Sequence, residues 1–226
     1  MAIQLQGNTG IVQEVDGNTF RAARITGRPI DHGAFGHYRL GMTTGTIGAA
    51  LAANAELFQF RWTDATRLCI VQKVLVSAGA NVAATAAALV NLDLTVARSW
   101  TAAGTGGTAA TITGNNQKTR TNMGTTLLGE ARCATTAALG AGTKTLDSQA
   151  IGNVFIGIGT GAITTSHRLG LVDKIDLLEI DADTSQHPLV LTQNEGFVVK
   201  NGATAFPAAM TWGMSVTVVW CEASNY

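Results

Sequence analysis

Met210-Thr211-Trp212-Gly213-Met214-Ser215-Val216-Thr217-Val218-Val219-Trp220-Cys221 is the stretch that decides the fold. Met210, Trp212, Met214, Val216, Val218 and Trp220 occupy every second position of it. A period of two places these large apolar side chains on one face of a β-strand, whereas a helix would scatter them around its cylinder. The Thr and Val content favours strand as well. Working outward, Phe58, Phe60 and Trp62 alternate with Leu57, Gln59 and Arg61. Asp64 to Arg67 then reads as a turn before an apolar run from Leu68 to Val76, which together predict a hairpin. Leu189 to Leu191 and Phe197 to Lys200 predict a second hairpin across Thr192 to Gly196. Thr19 to Thr26, Leu89 to Ser99, Thr108 to Thr113, Asn153 to Ile158 and Lys174 to Ile180 are further expected strands. Short strands punctuated by Gly, Asn and Asp predict an all-β chain, an antiparallel jelly-roll-like β-sandwich with little helix. Helix is expected only at Ile47 to Glu56 and Asn81 to Leu89, where Ala is frequent.

A single sandwich domain over residues 17–226 accommodates these strands, with residues 1–16 as an N-terminal arm or an edge strand. Ile3, Leu5, Ile11 and Val12 give that segment its apolar character among Gly and Gln. Thr101 to Thr126 is a long stretch of Thr, Ala, Gly and Asn, and Thr135 to Thr145 resembles it. Loops of this length in compact domains are usually functional, so contact with a neighbour is the expected use.

Composition points the same way. Only 13% of residues are charged, against about 25% in an average soluble domain. Lys+Arg and Asp+Glu balance at 15 each. A surface so poor in charge tolerates close neighbours, and it lacks the basic patch that nucleic-acid binding requires. Lys118 and Arg120 are isolated cations at a loop tip. The three cysteines, Cys69, Cys133 and Cys221, are widely spaced and read as buried thiols rather than a disulfide or zinc framework. The first ten residues lack the pattern of a secretory signal, and no apolar run reaches the length of a membrane span, so synthesis in a reducing cytoplasm is expected.

Each motif that could carry chemistry fails on context. Gly157-Ile158-Gly159-Thr160-Gly161-Ala162 imitates a dinucleotide fingerprint, with Glu179 and Asp181 about twenty residues on. The residues after it, Ile163 to Gly170, are too β-branched and Gly-broken for the helix that would meet a pyrophosphate. Asp31, His32 and His37 lack metal-ligand spacing, and no Ser sits in a nucleophile elbow. Asp173, Asp176, Glu179, Asp181 and Asp183 form an acidic cluster best read as a solvated edge or ion pairs, with Asp176 on the face opposite Glu179. Trp62, Trp212 and Trp220 belong to buried strand faces, while Trp100, at the mouth of the Thr-rich loop, is the aromatic side chain available to stack on a sugar. No catalytic residue, metal or cofactor is expected.

Phe58 to Thr63, Gly114-Asn115-Asn116-Gln117-Lys118, Asn194 to Val198 and Trp212 to Trp220 carry a resemblance to structural virion proteins of tailed bacteriophages. In size and Ala/Thr/Gly-rich β character the chain is similar to jelly-roll head proteins that decorate or cement a capsid. The resemblance implies a homo-oligomer, often a trimer, on the virion surface, bridging copies of a major capsid protein without nucleic acid or membrane. With binding through the N-terminal segment and the loops, Ile3, Leu5, Ile11, Val12, Trp100, Asn115 and Asn116 are the residues expected at partner interfaces. A tail-fibre or glycan-binding module, with Trp100 as its platform, and a shell-forming jelly-roll capsid protein are the alternatives.

Overall fold

The computed structural model describes residues 3–6, 12–15, 36–48, 50–160, 175–179 and 187–224. The chain divides into two compact units, residues 1–30 and 31–226. In the first, β1 (Ile3–Gln6) pairs antiparallel with β2 (Val12–Val15), Ile3 opposite Val15 and Gln6 opposite Val12. The N-terminal segment therefore contains a pair of antiparallel strands. Ile11 and the strand expected at Thr19 to Thr26 lie outside the described residues.

The second unit is built from β3 (His37–Thr43), β4 (Glu56–Trp62), β5 (Leu68–Val82), β6 (Ala88–Ala102), β7 (Thr108–Ala109), β8 (Leu128–Cys133), β9 (Thr143–Leu146), β10 (Gly152–Ile158), β11 (Ile175–Glu179), β12 (Leu189–Leu191), β13 (Glu195–Asn201) and β14 (Thr211–Ala223). One antiparallel sheet runs β10-β6-β13-β4-β8-β7, with β9 beside β6; the other runs β11-β5-β14-β3, with β12 beside β5. No helix occurs among the described residues. The inner faces of the two sheets share one core, in which Phe60 of β4 meets Trp220 of β14 edge-on at 5.2 Å between ring centroids. Tyr38 stacks on Trp220, and Phe60 on Phe197. The alternation of β14 is realised as read: Trp212, Met214, Val216, Val218 and Trp220 are buried, and the strand pairs along its length with β5.

Both predicted hairpins are corrected. β4 pairs with β13 and β8, whereas β5 pairs with β14, β11 and β12, so the Asp64 turn carries the chain from one sheet to the other. Asp64 Oδ1 holds that crossing by accepting from the amides of Thr66 and Arg67, each at 2.8 Å. β12 likewise joins β5 while β13 lies between β4 and β6. Period-two patterning marks a strand but not its partner; β4, between β13 and β8, is buried on both faces.

Neither expected helix forms. Ile47 bridges Trp212 in extended backbone, and Ala50 and Asn54 take positive φ, which no helix accommodates. Residues 83–87 instead connect β5, ending at Val82, to β6 of the other sheet, starting at Ala88. The strand expected at Thr108 to Thr113 is only Thr108–Ala109. All three cysteines are buried and outside any disulfide. Burial pushes the Cys133 thiol up to about 11, and Cys69 further above its ordinary value.

Candidate interaction surfaces

The outer face of the seven-stranded sheet has two contrasting halves. At one end, Ala97, Trp100 and Val198 form a small second core, covered by Leu146 of β9. At the other, β6 and β10 present Leu89 at 60% and Phe155 at 66% exposure. The register explains the pair: Phe155 lies opposite Asn91, and Leu89 opposite Gly157, so Phe155 and Leu89 are diagonal neighbours on one face. Gly157 has open space where a Cβ would stand, which leaves Leu89 uncovered from across the strand. Alternate residues Val154, Ile156 and Ile158 of β10 point into the main core. Exposed large apolar side chains grouped in this way mark interaction surfaces more often than single ones do.

Trp100 does not serve as an exposed platform. It is fully buried: Ser99 adopts a φ of 50°, bending the end of β6, and the ring folds down over Gly196. Its indole N–H donates to the carbonyl of Ala102 at 2.9 Å, and the Lys144 ammonium sits 4.4 Å from the ring centroid on the flap side. A Cβ at Gly196 would collide with the Phe60 carbonyl and with the ring itself. Nothing of that ring is left for a sugar.

The Thr-rich loop is a second surface, and it is more firmly held than its composition suggests. After β7 it crosses to the other sheet, where the amide of Arg39 donates to the Gln117 carbonyl at 2.8 Å and Tyr38 bridges Lys118. The Tyr38 hydroxyl donates to the Gly124 carbonyl at 3.1 Å. Where the loop returns as β8, Glu222 Oε1 accepts from the Thr126 hydroxyl at 2.6 Å and the Leu127 amide at 2.9 Å, and Arg67 stands 3.7 Å from the other carboxylate oxygen. Burial pushes the Glu222 carboxyl up, against the hydrogen bonds from Thr126 and Leu127 and the nearby Arg67. Asn115 and Asn116 are exposed. Asn116 donates its side-chain amide to the Thr113 carbonyl at 2.7 Å, and Asn115 accepts from Lys118 at 3.1 Å.

The remaining motifs lie only partly among the described residues, and Asp173, Asp181 and Asp183 fall outside them. Gly157 and Ile158 lie in β10, and Thr160 bridges Ala84, so the Gly-rich motif begins as strand; Gly161 onward falls outside the described residues. His37 lies on β3 beside Gln72 Oε1 at 2.8 Å, while Asp31 and His32 fall outside. Among the described residues no group of three metal-ligating side chains converges. In the acidic stretch, Asp176 and Glu179 both reach Lys73, Asp176 at 3.2 Å. The expected opposition of those carboxylates is overturned by a bulge between Asp176 and Leu178, which shifts the alternation by one residue. Ile3, Leu5 and Val12 lie on the N-terminal strand pair. Sequence reasoning missed the Leu89 and Phe155 pair, because both sat inside strands taken as core; the Gly157 opposite was the available signal. Compared with known protein families, curated proteins and solved structures, the chain matches none.

Proposed function

We propose that this chain is a structural virion protein of a tailed bacteriophage, a capsid cement protein that assembles as a homo-oligomer and bridges major capsid proteins. The observation that carries the reading is the bare apolar end of the outer sheet face, Leu89 and Phe155, on a chain with 13% charged residues. Such a surface favours lasting association over free monomers. We also propose that the sandwich is a jelly roll, which strand order supports once β7, β8, β9 and β12 are set aside. Counting β3, β4, β5, β6, β10, β11, β13 and β14 in chain order, one sheet holds the first, eighth, third and sixth, and the other the second, seventh, fourth and fifth. That is the order of two Greek keys wound into a jelly roll. An oligomer engaging several capsomers at once converts weak contacts into a strong staple.

Rebinding to shells lacking the protein tests the proposal. The full chain should bind at a fixed stoichiometry and raise the temperature at which shells open, and a chain without residues 1–10 should fold but bind poorly. Absence of binding by the full chain overturns the cement role. Undiminished binding by the shortened chain removes the N-terminal strand pair from the mechanism. A copy number equal to that of the shell lattice itself would instead make this the shell-forming protein.

A further inference from the structure

Beneath the covered half of the outer face, Lys144, Glu56 and Gln59 meet in a site sealed from water. The side chains of Lys144 and Glu56 are 2% and 8% exposed, and Gln59 is 1% exposed. Lys144 Nζ donates to Glu56 Oε2 at 2.8 Å, and Gln59 Nε2 donates to the same oxygen at 2.6 Å. Residues three apart on a regular strand face opposite ways. A bulge opposite Val199 and Lys200 breaks that rule here and turns Glu56 onto the face of Gln59. Gln59 Nε2 also donates to the Gly140 carbonyl at 3.0 Å, and Lys144 Nζ to the Ala141 carbonyl, so both nitrogens are fixed. Trp100 covers the amine, and Gln59 Oε1 is buried with no hydrogen-bond partner.

One carboxylate oxygen thus lies between an amine and the nitrogen of a carboxamide. That is the arrangement acyl transfer needs, a single group able to take a proton from a nucleophile and give it to a leaving nitrogen. We propose that Lys144 and Gln59 become joined by an intramolecular isopeptide bond, with Glu56 as the proton carrier. Glu56 takes a proton from the Lys144 ammonium, and the amine attacks Gln59 Cδ. The Cδ–Nε2 bond then breaks, and the leaving nitrogen collects the proton held by Glu56 and the one further proton shed by Nζ, whose third proton stays on the new amide. An ammonium and a primary amide become a secondary amide and a free ammonium ion, with no oxidant or reductant. Fixed neighbours react at high effective concentration. With no donor at Gln59 Oε1 to stabilise an oxyanion, the reaction is a slow single event. It would tie β9 and its flap covalently to β4, in the middle of the sheet.

Intact mass spectrometry of the purified full chain, followed over days, reads the result directly. The mass should fall by one ammonia, and trypsin should release a branched peptide joining residues 40–61 to residues 133–168. Lys144→Arg should abolish the branch, and Glu56→Gln should slow its formation at least tenfold. A mass that stays at the value of the sequence overturns the proposal, needing no variant. Loss of ammonia without the branched peptide overturns it equally, since an asparagine cyclisation then accounts for the change. A branch forming as fast in Glu56→Gln overturns the role given to the carboxylate.

Discussion

The two ends of one sheet face, built on the same strand β6, differ in what covers them. At the Trp100 end the chain folds β9 and its flap back over the strands. At the Phe155 end the side chains stand in solvent. The contrast teaches that exposure here is selective: a chain able to cover part of a sheet with its own flap leaves another part bare.

Breaking the covered end should have the largest effect. Trp100→Ala removes a fully buried indole and should cost about 3–5 kcal/mol, seen as a lower midpoint in denaturant unfolding. Gly196→Ala forces a methyl between Trp100 and the Phe60 carbonyl and should cost about 1–3 kcal/mol in the same measurement. A smaller effect belongs to Glu222, which anchors the loop between the sheets. Its folded pKa lies above the ordinary 4.5, chiefly through burial. Folded protein therefore holds that proton more tightly than unfolded chain does. Its contribution to stability is complete below 4.5 and is lost as pH rises through the raised value. Glu195 works oppositely: burial raises its pKa, but the Thr192 amide and Arg98 outweigh burial and lower it, so its contribution is lost as pH falls below the ordinary range. Stability of Glu222→Gln minus that of the native chain, followed from pH 4 to 7 by urea unfolding, isolates the first slope and should grow with pH. The smallest stability change should come from the bare end. Phe155→Ser should alter unfolding by no more than about 0.5 kcal/mol. The same substitution should shift sedimentation toward smaller species, which no loss of fold would explain; an unchanged sedimentation profile would make the bare end an ordinary surface.

Much of the fold was legible. Strand identity follows from side-chain alternation, so β14, β4, β10 and the start of β6 could be read directly, as could the burial of Trp62, Trp212 and Trp220. Pairing was not legible, because a turn such as Asp64 to Arg67 looks the same whether it closes a hairpin or arches between sheets. Single backbone irregularities hid the rest. The positive φ at Ser99 buries Trp100, the bulge at Leu177 moves Asp176 to the Glu179 side, and the bulge near Glu56 brings that carboxylate to Gln59. None of these changes the hydrophobic pattern by more than one residue, yet each reverses the direction of a side chain.

The buried thiols have a consequence for how the protein meets an oxidant. Cys69, Cys133 and Cys221 are all inside the fold, and the raised pKa values of Cys69 and Cys133 keep those two protonated at neutral pH. The thiolate is the form that attacks a disulfide or meets an oxidant. The protein can therefore pass from reducing to oxidising surroundings without exchanging sulfur bonds at Cys69 and Cys133.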